Sequence, residues 1–101
     1  MNVLDIDKHT YKRNDTMLVT IYPGTYVDSC FGLQIKNLDT GNNIEVKGFS
    51  GCEDVLTKID SPLTRKIFLD ERYNVGNYII SVQQAGNKPV EIKFEIIKTD
   101  I

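Results

Sequence analysis

The sequence predicts an all-β fold, a single antiparallel sandwich of seven strands in two sheets. Three observations carry that expectation. Short segments in which apolar and polar residues alternate recur along the whole chain, which is the period of a strand with one buried face. Turn-forming clusters separate them, including Pro23-Gly24, Asp39-Thr-Gly-Asn42 and Ala85-Gly-Asn-Lys-Pro89. No helical pattern alternates with the strands, so a parallel βαβ arrangement is disfavoured.

The elements follow in order. Residues 3–7 read as an edge strand, and residues 10–15 as a polar turn. Met17, Val19 and Ile21 alternate with Thr16, Leu18 and Thr20, and Pro23-Gly24 stops that strand. Phe31, Leu33 and Ile35 form the next inward set. The 39–42 turn follows, with Gly41 supplying a positive φ. Ile44 and Val46 alternate with Glu45 and Lys47 on the return strand. Residues 52–62 form a long connection that holds a helical turn around 54–58. Residues 65–69 are a strand with Ile67 and Leu69 inward. Tyr78, Ile80 and Val82 line another. Val90, Ile92, Phe94 and Ile96 alternate with Glu91, Lys93 and Glu95 in the cleanest amphipathic strand of the chain. A helix is not expected there, because apolar residues at every second position would circle it instead of forming a stripe.

Composition bounds the class. A chain of 101 residues is expected to be one domain, residues 1–101, with a single core. At 41% hydrophobic and 26% charged it is an ordinary globular sequence. Its net charge is −2, with no basic block to neutralise phosphates, so nucleic acid is not an expected partner. No run is long enough for a membrane-spanning helix, so membrane insertion is not expected. The first residues lack the basic and apolar regions of a signal peptide.

Two short patterns carry a resemblance. Asn74, Gly76 and Tyr78 are similar to the corner through which immunoglobulin-like domains enter a core strand, with Asn in place of the usual Asp. Tyr11-Lys-Arg-Asn-Asp-Thr16 resembles the turn before the second strand of bacterial and archaeal surface immunoglobulin-like repeats, with Arg13 and Asn14 in place of Pro and Gly. Asn tolerates the left-handed conformation, so the turn is expected to survive. The resemblance implies an immunoglobulin-like sandwich with a buried Tyr78 whose hydroxyl bonds nearby backbone. It carries no activity. Ile80 stands where antibody domains place a cysteine, and the chain has no Trp, so the likeness is to fibronectin-type, macroglobulin-type or prokaryotic surface modules.

Candidate chemistry is sparse. In such a sandwich Cys30 and Cys52 lie at the same end, across the hairpin centred near Gly41. A disulfide there would close a loop of about twenty residues. Strict strand alternation instead puts the two on opposite faces, leaving two thiols unless Gly48 and Gly51 break the ladder. His9, the one histidine, sits in a polar turn with no nucleophile or carboxylate placed beside it, so an exposed turn residue is expected. The acidic residues Asp5, Asp7, Glu53, Asp54, Asp60, Asp70 and Glu71 lack calcium-loop spacing, and two cysteines with a distant histidine make no zinc set. No metal or cofactor is expected. Asn14-Asp15-Thr16 is a glycosylation triplet in a surface turn. Tyr22, Tyr26, Phe31 and Phe49 cluster at one end, where aromatics either cap the core or give contact surface at little entropic cost.

The expected function is a non-catalytic module for binding, adhesion or spacing in a cell-surface or extracellular assembly, with a protein or polysaccharide as partner. The alternatives are a cytoplasmic inhibitor or accessory protein of the same fold that presents its loops to an enzyme, and a carbohydrate-binding module. The expected contact surface is the end formed by residues 23–30, 49–64 and 85–88, with Tyr22, Tyr26, Phe49, Glu53 and Asp54 as its partner-binding residues. No catalytic residue is assigned, since no triad, carboxylate pair or phosphate loop is visible.

Overall fold

The computed structural model describes residues 3–49, 52, 55–86 and 88–98. It is all-β, with ten strands: β1 Leu4–Ile6, β2 Thr10–Lys12, β3 Thr16–Ile21, β4 Thr25–Asp28, β5 Leu33–Asn37, β6 Asn43–Lys47, β7 Leu56–Ile59, β8 Leu63–Phe68, β9 Gly76–Val82 and β10 Val90–Ile97. They form a three-stranded sheet, β1-β3-β8, a five-stranded sheet, β2-β10-β9-β5-β6, and a two-stranded ribbon, β4-β7. Every pairing is antiparallel except that of β2 with β10.

Alternation explains the buried faces. Met17, Val19 and Ile21 of β3 point into the same core as Leu33 and Ile35 of β5, Tyr78, Ile80 and Val82 of β9, and Phe94 and Ile96 of β10. Val90 and Ile92 are half-buried against it, while Glu91, Lys93 and Glu95 face solvent. Four aromatic rings run in contact across one end of the core. Tyr11 meets Phe94 edge-on at 5.8 Å, Phe94 stacks on Tyr78 at 5.3 Å, and Tyr78 meets Tyr73 at 5.7 Å, separations at which aromatic pairs add to simple burial. The Tyr78 hydroxyl donates to the Asn74 carbonyl at 2.7 Å, so the corner is built as its sequence pattern implies. Asn14 takes the left-handed conformation, φ 72°, and Gly41 has φ 80°.

Five expectations are corrected. Among the described residues there are ten strands, not seven, because short pairings form inside segments expected to be connections. The supposed polar turn at 10–15 contains β2, held parallel to the end of β10, and buries Tyr11. A three-residue strand with one apolar side chain carries no period to detect. The supposed helical turn is instead β7, which pairs with β4 over Leu56 to Ile59. Its first position, Asp54, lies outside the described residues. Phe31 is exposed, not inward, because the Asp28 carboxylate accepts the Cys30 and Phe31 amides at 2.9 and 2.7 Å and turns the chain just before β5. Val46 is also exposed. A bulge opposite Ile35 and Lys36 shifts the β5–β6 register, so Glu45 pairs with inward Ile35 and Val46 with outward Gln34.

The open side of the molecule carries two edge strands, β6 and β8, and each turns a charge inward. Glu45 of β6 is met by Arg72 from the β8–β9 connection, and Arg72 also donates to Asp70 at 3.1 Å. Arg65 of β8 pairs with inward Val19 and lays its guanidinium 5.9 Å from the centre of the Phe49 ring. An inward charge on an edge strand penalises pairing with a further strand, because that charge would be desolvated.

Candidate functional site

Strand register brings three connections to one end. Ile21 and Leu63 mark that end of the three-stranded sheet, and Leu33, Lys47, Val82 and Val90 mark it in the five-stranded one. The connections β3–β5, β6–β8 and β9–β10 must therefore emerge together. They are also stitched to one another. β4, in the first connection, pairs with β7, in the second. The third is tied to β4 by the Val27–Gln84 bridge and by backbone bonds from Asp28 to Gln83 and from Ala85 to Tyr26, both 3.0 Å. The Thr25 hydroxyl donates to the Gln84 carboxamide at 3.0 Å.

Beneath the ribbon, buried Ser29 is fully engaged. Its hydroxyl and that of Thr57 lie 2.7 Å apart, its amide donates to Val55 at 3.2 Å, and its carbonyl accepts from Phe49 at 2.7 Å. A Cβ at Gly48 would sit 2.5 Å from that same carbonyl, and one at Gly32 would overlap the Asp28 carbonyl and the Phe49 ring. These two glycines let the connections approach closely. Cys30 and Cys52 are joined by a disulfide, with Cα atoms 5.0 Å apart, linking the turn after β4 to the segment before β7.

The ribbon has two faces. Val27 and Ile59 point inward and are buried. Tyr26, Leu56 and Lys58 share the outward face, since Tyr26 pairs with Lys58 and Asp28 with Leu56. Apolar side chains are left in water here: Tyr26 is 50% exposed, Phe31 59%, Val55 77% and Leu56 44%. Beside β7 lies a groove of about 230 Å³ walled by Phe49, Ile59, Leu63 and Arg65, with Lys58 and Asp60 at its mouth.

Of the expected contact residues, Tyr26 is outward on the ribbon. Tyr22 is half-buried at the end of β3. Phe49 is half-buried against the core, under Arg65. Glu53 and Asp54 lie outside the described residues. Sequence reasoning missed Leu56, Val55 and Lys58, because their place in a ribbon depends on a partner strand about thirty residues away. It also passed over Arg65, which alternation with Ile67 and Leu69 places on the inward face of β8 but whose seat on the Phe49 ring depends on tertiary packing.

The opposite end is built differently. Asp7 accepts from the Tyr11 hydroxyl at 2.7 Å and the Leu18 amide at 3.0 Å. Burial opposes its ionisation, but these bonds outweigh that cost and its pKa is lowered. Burial, then the hydrogen bond to Asp7, push the Tyr11 phenol well above its ordinary value. A shallow depression of about 450 Å³ lies there, lined by His9, Asp39, Asn77, Lys93 and Glu95. Its Asp39 carboxylate is occupied by the Asn77 amide at 3.0 Å. Among the described residues no group of three or more His, Cys, Asp or Glu is arranged to hold a metal ion, and no helix is long and apolar enough to cross a membrane. A comparison with protein-family models and with curated proteins finds no match.

Proposed function

We propose that the chain is a non-catalytic binding module with an immunoglobulin-like sandwich, and that it engages a protein partner through the end built from its three stitched connections. One observation carries this reading. That end leaves Tyr26, Phe31, Val55 and Leu56 in water while hydrogen bonds, a strand pairing and a disulfide tie its described segments to one another. Exposed aromatic and aliphatic side chains on a pre-ordered frame favour association, because little entropy remains to be lost on binding.

The immunoglobulin-like reading is supported by the strand order. In the convention of that fold, β1, β3 and β8 take the places of strands A, B and E, and β2, β10, β9, β5 and β6 those of A′, G, F, C and C′. A disulfide with one half-exposed and one exposed cysteine favours an oxidising compartment, in keeping with a cell-surface or extracellular assembly.

The test is affinity capture from the source organism followed by lysine cross-linking of the purified pair. Cross-links should concentrate on Lys47, Lys58 and Lys88, and Tyr26→Ala should weaken binding with the melting temperature unchanged. Cross-links concentrated on Lys36 and Lys93 of the sheet face, with Tyr26→Ala binding normally, would overturn the assignment.

A further inference from the structure

Every outer strand at the two large sheets carries a device against further pairing. β1 and β2 span three residues each, β6 has a bulged register and the inward Glu45, and β8 has the inward Arg65. The ribbon differs. β4 is covered on its far side by the β9–β10 connection, through the Val27–Gln84 bridge, whereas among the described residues no strand pairs with β7 beyond β4. Ser29 bonds to Val55, and Gly24 to Ile59. The odd-numbered residues of β7 therefore face β4, and the backbone N–H and C=O groups of Leu56 and Lys58 point to the open edge. Among the described residues no inward charge, proline or bulge guards them, and Lys58 is the one charge that β7 itself carries.

The groove runs along this same edge. Its walls are apolar at Phe49, Ile59 and Leu63 and cationic at Arg65. Among the described residues the Arg65 guanidinium has no carboxylate partner and rests on the Phe49 ring alone. Stacking on an aromatic fixes the plane of the guanidinium and leaves its N–H fork free for a carboxylate. Lys58 adds a second cation at the mouth of the groove, paired to Asp60 there only loosely, at 3.6 Å between exposed side chains.

We propose that the β7 edge takes an extended, acidic segment of a partner protein, which adds a third strand to the ribbon. This rests on the reading of this end as the contact surface and names the partner's chemistry. The added strand would bond to the backbone of Leu56 and Lys58. Its groove-facing side chains would be an apolar residue against Phe49 and Leu63 and a carboxylate on Arg65. A strand-forming acidic peptide meets all three requirements at once, and a helix meets none of the backbone ones.

The experiment selects binders from a random displayed peptide library on the intact, oxidised protein, then maps the synthetic peptides by ¹⁵N NMR. The expected peptides alternate β-branched or aromatic residues with Asp or Glu and shift the Leu56 and Lys58 amides and the Arg65 Nε signal. Arg65→Gln should weaken them roughly tenfold or more, as loss of a hydrogen bond between charged groups does, while Arg65→Lys retains part of the affinity. N-methylation of alternate peptide amides should abolish binding. Peptides that shift only Tyr26 and Phe31 on the outer surface overturn the strand-addition proposal but keep the contact end. Peptides that map to the His9–Asp39 depression overturn both. A library that yields no binder also overturns the proposal.

Discussion

Two tyrosines of one aromatic cluster separate burial from hydrogen bonding. Tyr78 and Tyr73 are both fully buried and in ring contact. The Tyr78 hydroxyl donates to Asn74, whereas the Tyr73 hydroxyl has no hydrogen-bond partner among the described residues. Burial, then the nearby Glu45 carboxylate, push the Tyr73 phenol well above its ordinary value. Tyr78→Phe should cost about 1 kcal/mol, the net worth of one hydrogen bond, and Tyr73→Phe clearly less. Urea midpoints of the two variants check this, and equal losses would contradict it. Asp7 sets a pH dependence. Its folded pKa lies below the unfolded value of about 3.9, so its contribution is present above that value and is lost as pH falls through the folded pKa. Asp7→Asn should flatten the acid limb of a melting-temperature profile below about pH 4. An unchanged limb would show that the bonds from Tyr11 and Leu18 do not favour the ionised form.

Among the elements, the ribbon depends most on cross-linking. β4 and β7 have four paired positions between them, too few for a free two-stranded ribbon to be stable in water. The disulfide closes a separation of 22 residues that contains β5 and β6. In the chain-entropy view this stabilises by about 3 kcal/mol. Replacing both cysteines by serine should lower stability by about that amount. It should also raise amide exchange first at Ser29 and in β7, ahead of β9 and β10. If exchange rises uniformly instead, the cross-link acts on the whole domain and the ribbon is not an independently weak unit.

For the whole molecule, one core joins both large sheets, so a change at its centre is felt globally. Phe94 touches Tyr11 on one side and Tyr78 on the other. Phe94→Asp would bury an unpaired carboxylate among apolar rings and should unfold the domain. Glu95→Lys, one residue on and facing solvent, should change stability by less than about 0.5 kcal/mol. Circular dichroism melts of the two variants distinguish them, and similar losses would contradict the face assignment. The two ends of the molecule divide the work. The aromatic run and the corner at Tyr78 pack one end beneath a shallow depression, and the other displays apolar side chains over a stitched frame.

The sequence by itself determined the all-β class, the main turns and the inward faces of β3, β8, β9 and β10. Each of those is a local signal: a period of two long enough to read, a glycine or asparagine able to take positive φ, a tyrosine at a fixed offset from Asn74. It also placed the three connections at one end, because strand order alone requires that. Tertiary structure decided the rest. Tyr11 is buried because β2 lies beside β10, far along the chain. The inward turn of Glu45 and the exposure of Val46 follow from a register shift that no single strand encodes. The β4–β7 ribbon exists because two connections meet in space, and with it the outward set of Tyr26, Leu56 and Lys58. The groove under Arg65 likewise exists only where Phe49, β7 and β8 meet. Periodicity reports which face of a strand is apolar. Which strand lies next to it is fixed only when distant segments bury those faces together.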